Sequence, residues 1–85
     1  MRILLLEDDP AIARTVAYAL ERDGLSVVHC LLVEVARRTL AAGGFDLAVL
    51  DIGLPDGSGL DLCRELRATG RLPVIMISAR GEEID

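Results

Sequence analysis

The stretch Phe45-Asp46-Leu47-Ala48-Val49-Leu50-Asp51-Ile52-Gly53-Leu54-Pro55-Asp56-Gly57-Ser58-Gly59 decides the fold. It begins as an apolar run, stops at a carboxylate and passes at once into a loop rich in Gly and Pro. Leu47 to Leu50 shows no polar alternation, which predicts a strand buried on both faces, as in parallel sheets covered by helices. Asp51 falls where that strand leaves the core. A charge there can reach a cleft at the sheet edge, whereas a charge two residues earlier would be buried at large cost. Asp51 is therefore the candidate reaction centre.

Upstream, Arg2-Ile3-Leu4-Leu5-Leu6 is a second short apolar run, ending in Glu7-Asp8-Asp9-Pro10. Asp9 suits an N-cap and Pro10 the first helical position, so a helix should begin here. Ile12, Val16 and Leu20, with Ala13 and Ala17 beside them, form one helical face. Asp23-Gly24 ends it. Leu25-Ser26-Val27-Val28-His29-Cys30 is short and β-branched, and its mixed polarity suits an edge strand. A helix is expected over 32–42, with Leu32, Ala36 and Leu40 in register, stopped by Gly43-Gly44. Downstream, Ser58 with Asp61 resembles a capping box for a helix whose core face is Leu62 and Leu66, with Cys63 alongside. Thr69-Gly70 closes it. Pro73 leads into a fourth apolar strand, Val74-Ile75-Met76-Ile77-Ser78. The order βαβαβαβ predicts an α/β fold, a doubly wound parallel sheet with helices on both faces.

The bulk composition narrows the function. With 85 residues there is room for one small domain. Hydrophobic residues make up 52%, which requires a packed core and excludes disorder. The only aromatics, Tyr18 and Phe45, leave aliphatic side chains to build it. A net charge of −5 argues against nucleic-acid binding by this segment. Cys30 and Cys63 are far apart and in no C-x-x-C pattern, as expected of reduced thiols in an intracellular protein. No window is apolar for the length a membrane span needs, and no signal-peptide pattern opens the chain, so a cytoplasmic location without membrane contact is expected.

Three polar features fall at the carboxyl ends of apolar strands: Glu7-Asp8-Asp9, Asp51 and Ser78. Ligand sites of open α/β sheets lie there, where strand order reverses. Neighbouring first and third strands would bring Asp8 and Asp51 together. Carboxylates that close repel one another and raise each other's pKa, and a hard cation such as Mg2+ would relieve the repulsion. Such a cation would also draw a phosphoryl group to Asp51, with Ser78 donating a hydrogen bond to it. Simpler roles compete. Asp9 is helix capping, Asp56-Gly57 is turn chemistry, His29 is an ordinary surface or half-buried histidine, Arg37-Arg38 is a solvated face and Met76 fills the core.

Three elements together resemble the receiver domain of bacterial two-component response regulators: Ile3-Leu4-Leu5-Leu6-Glu7-Asp8-Asp9, Val49 through Gly59, and Pro73-Val74-Ile75-Met76-Ile77-Ser78-Ala79-Arg80. The run from Ser78 to Asp85 is most similar to the OmpR-like winged-helix subfamily. The resemblance implies a flavodoxin-like sheet of order 2-1-3-4-5. It makes Asp51 the phosphoacceptor and Asp8 a direct Mg2+ ligand, with Glu7 acting through water and Gly53 through its backbone carbonyl. Ser78 would be the phosphoryl-binding switch residue, and Ile52 and Ala79 backbone N–H donors. The phosphodonor would be a sensor histidine kinase. On that basis the chain is a phosphoacceptor that assists its own phosphorylation and dephosphorylation rather than a turnover enzyme.

One departure stands out. The family's fifth strand ends in a lysine that pairs with the phosphoryl group, and this chain has no Lys-Pro dipeptide to match it. Residues 1–85 are therefore expected to be an incomplete receiver, with sheet order 2-1-3-4, the fifth strand missing and no output domain. DNA would be contacted only through an absent C-terminal domain. The fourth strand would form an apolar edge, inviting homodimerisation or edge-strand self-association. Phosphorylation of the 85 residues alone is expected to be weak. Two rivals remain open: a module that only self-associates, and a small aspartyl-phosphate phosphatase. The latter typically needs a second Asp two residues after the nucleophile, where this chain has Gly53.

Overall fold

The computed structural model describes residues 1–51, 54, 59–70 and 72–77. Within them the chain runs β1 (Arg2–Leu6), α1 (Pro10–Arg22), β2 (Ser26–Cys30), α2 (Val33–Ala41), β3 (Leu47–Asp51), α3 (Gly59–Thr69) and β4 (Val74–Ile77). The strands form one sheet in the order β2-β1-β3-β4, and every pair is parallel. The expected order 2-1-3-4 is thus observed.

Strand parity sorts the side chains into two layers, because successive residues point to opposite faces. Ile3, Leu5 and Val49 pack with Ala13, Val16, Ala17 and Leu20 of α1 on one face. Leu4, Leu6, Ala48 and Leu50 pack with Val33 and Ala36 of α2 and Leu62 and Cys63 of α3 on the other. Both central strands are covered on each side, which explains why β1 and β3 are near-continuous apolar runs.

The ends of α1 follow its sequence signals. Asp9 Oδ1 accepts from Ala11 N–H at 2.9 Å and Ile12 N–H at 3.4 Å, and Pro10 occupies the first turn. Gly24 takes φ +82°, a left-handed conformation that lets the chain turn into β2. At the amino end of β3, Arg2 N–H donates to Asp46 Oδ2 at 2.7 Å and Asp46 N–H donates to the Arg2 carbonyl at 2.8 Å.

The start of α2 differs from expectation. Leu32 is its N-cap rather than its first core residue, and remains 41% exposed. Val33 takes the core place at 3% exposure, in register with Ala36 and Leu40. Arg37 also departs from a solvated face: its guanidinium turns to α3, pairing with Glu65 at 2.8 Å as well as with Glu34. The Ser58 capping box lies outside the described residues. No described helix is long and apolar enough to cross a membrane.

Candidate functional site

Two features of the sheet assemble the site. In β1, residues Ile3 and Leu5 point to the α1 face, and the same parity carries Glu7 there. In β3, Val49 and Asp51 share that face. Leu6 pairs with Leu50 across the two strands, so Glu7 and Asp51 emerge side by side one step further on. Asp8 follows in the loop before α1. Carboxylate oxygens of Glu7, Asp8 and Asp51 all lie within 4.8 Å of one another. The expected meeting of Asp8 and Asp51 at the carboxyl end of the sheet is therefore observed, and Glu7 joins them.

Burial divides the three. Glu7 is fully buried, Asp51 is 4% exposed and Asp8 is exposed. Glu7 Oε2 accepts from Asp9 N–H at 3.1 Å, while its Oε1 finds no hydrogen-bond donor among the described residues. Burial is the main cause that raises the Glu7 pKa, to about 7, and the neighbouring Asp51 and Asp8 carboxyls raise it further. The Asp9 N–H bond opposes them. A buried acceptor with no donor, beside two more carboxylates, is the arrangement a hard divalent cation satisfies. These residues therefore fit a metal of the Mg2+ class on the chemistry of their donors.

Sequence reasoning assigned Glu7 a role through water and did not anticipate its complete burial, although strand parity carries the signal. It also treated His29 as an ordinary histidine. His29 is indeed exposed on the edge strand β2, but its Nε2 lies 2.8 Å from the Glu7 carbonyl oxygen. Gly53, Ser78, Ile52 and Ala79 lie outside the described residues.

The sequence profile of the response regulator receiver domain matches residues 3–85. The chain belongs to the response regulator receiver domain family. The receiver is 42% identical over 83 residues to the KDP operon transcriptional regulatory protein KdpE of Escherichia coli, covering 98% of this chain and 37% of KdpE. It thus spans little more than a third of the length of that relative. Among solved structures it superposes on the response regulator TrrA of Thermotoga maritima in complex with Mg2+-BeF. There the TM-score is 0.87 and the identity 30%, over 92% of this chain and 69% of the other. TrrA in complex with the histidine kinase ThkA gives TM-score 0.89 and 28% identity, over 99% of this chain and 73% of the other. These likenesses carry the flavodoxin-like fold and favour neither the phosphatase nor the module that only self-associates.

Proposed function

We propose that Asp51 is the phosphoacceptor of a two-component signalling switch. The observation that carries this is the convergence of Glu7, Asp8 and Asp51 within 4.8 Å at the carboxyl end of the sheet. An Asp51 Oδ attacks the phosphorus of a phosphohistidine on a sensor histidine kinase. A P–O bond forms, the P–N bond breaks, and the imidazole leaves with the electron pair. Asp8 and Asp51 would hold Mg2+ directly, with the backbone carbonyl of Gly53 as a further ligand and Glu7 acting through water. When bound, the metal offsets the charge of the carboxylates and of the phosphoryl oxygens. Ser78 donates to a phosphoryl oxygen, as do the backbone N–H groups of Ile52 and Ala79. The TrrA complexes with Mg2+-BeF and with a histidine kinase support the same chemistry by similarity.

In this reading residues 1–85 are the receiver part of a cytoplasmic regulator. Phosphorylation moves Ser78 and reshapes the surface around β4, which controls homodimerisation and a DNA-binding output in the OmpR-like manner. The test is intact mass after incubation with Mg2+ and a small-molecule phosphodonor. A phosphate adduct is expected in the wild type and absent from Asp51→Asn. A low yield suffices, because the variant sets the background. Turnover of the donor without an adduct, or an adduct that persists in Asp51→Asn, would overturn the assignment.

A further inference from the structure

One side chain outside the acidic cluster holds its backbone. The β1–β2 ladder pairs Leu5 with His29 and Leu6 with Cys30. Glu7 N–H continues it by donating to the Cys30 carbonyl at 3.1 Å. The Glu7 carbonyl lies past the last paired residue of β2, and there the His29 ring takes over, with Nε2 at 2.8 Å. A carbonyl oxygen only accepts, so His29 Nε2 carries the proton and donates. His29 can reach because it shares the face of Leu5 and Glu7 by strand parity. Glu7 is thereby clamped to β2 on both sides of its Cα.

The Glu7 carbonyl belongs to the planar peptide that joins Glu7 to Asp8. Fixing that plane fixes where the Asp8 Cα leaves the strand, and so where the Asp8 carboxylate points. We propose that His29 is a positioning residue for the acidic cluster, its Nε2–H locking the Glu7–Asp8 peptide so that Asp8 is aimed at the metal site. This rests on the assignment of Glu7, Asp8 and Asp51 as a metal-dependent phosphoacceptor site. β2 has a single neighbour among the described residues, β1, so the ring is the outermost clamp on this corner. Partners that orient ligands are worth a measurable part of metal affinity.

The test compares His29→Phe, which keeps a ring but has no donor, with His29→Gln, whose amide N–H can reach the same carbonyl. Magnesium affinity is measured by calorimetry in the full chain. Thermal unfolding without metal is followed in parallel, and the His29 tautomer is read from imidazole nitrogen NMR. His29→Phe is expected to weaken Mg2+ binding roughly three- to tenfold, while His29→Gln stays close to wild type. The wild-type ring is expected as the Nε2–H tautomer. Equal weakening in both variants, unchanged affinity in His29→Phe, or an Nδ1–H tautomer would overturn the role of His29 while leaving the phosphoacceptor site intact. Absence of Mg2+ binding in the wild type would instead remove the metal site itself, and this proposal with it.

Discussion

Glu7 shows how one buried carboxyl couples metal, pH and stability. Its pKa is raised to about 7 by burial and by the two neighbouring carboxyls. In the unfolded chain it would titrate near 4.5. Between those values the folded state holds a proton that the unfolded state has released, so metal-free stability must fall as pH rises through this window. At about 1.4 kcal/mol per pKa unit the loss is about 3 kcal/mol at most. Urea unfolding in chelator should therefore give a lower midpoint at pH 7.5 than at pH 5. Glu7→Gln should flatten that difference, and adding Mg2+ at pH 7.5 should restore much of the wild-type loss. A wild-type midpoint that does not fall over this range would contradict the burial argument. Asp51 and Asp8 were legible in the sequence because acidic residues follow two buried apolar runs, and in a parallel sheet those runs end on the same edge. Glu7 was named in the same acidic run, but its burial was legible only through strand parity, and the His29 contact not at all, because it depends on which strand pairs with β1 and in what register.

At the scale of elements, helix starts were readable where a cap exists and misread where none does. Asp9-Pro10 fixed the start of α1, and removing the cap by Asp9→Ala should cost about 1 kcal/mol, measured by thermal or urea unfolding. The start of α2 has no such marker. Leu31-Leu32-Val33 offers two phases: Leu32 with Ala36 and Leu40 at four-residue spacing, or Val33 with Ala36 and Leu40 at spacings of three and four. Both are helical, and Leu32, the N-cap, makes no side-chain capping bond of its own to break the tie. Packing against Leu4, Leu6 and Leu50 selects Val33. Val33→Ala should accordingly destabilise by about 2 kcal/mol, the worth of its buried methyl groups plus the cavity left behind. Leu32→Ala should stay within about 0.5 kcal/mol of wild type, because neither side chain caps the helix and Leu32 is already 41% exposed. Equal costs at the two positions would restore the first phase.

Across the whole molecule the parallel doubly wound sheet followed from the alternation of strands and helices, while its order 2-1-3-4 and the apolar edge at the fourth strand followed from the family resemblance. Both faces of β1 and β3 are covered, but β4 is the end strand of the described sheet. Val74 and Met76 pack on the α2–α3 face and Ile77 on the α1 face. Ile75 also points to the α1 side by parity with Val49, its partner in β3, yet it is 51% exposed. The reason is geometric: α1 packs over β1 and β2, at the far side of the sheet from β4. An apolar residue on an edge strand offers both hydrophobic surface and unpaired backbone groups to a second copy. For residues 1–85 by themselves, self-association is expected as concentration rises, seen as a concentration-dependent sedimentation coefficient. Ile75→Lys should suppress that association, because a charged side chain on an edge opposes strand addition. It should do so with little loss of folded stability, since half of Ile75 is already in water. If Ile75→Lys unfolds the protein, Ile75→Thr keeps a β-branched residue and removes part of the apolar surface. Association undiminished in a folded variant would place the contact elsewhere on the molecule.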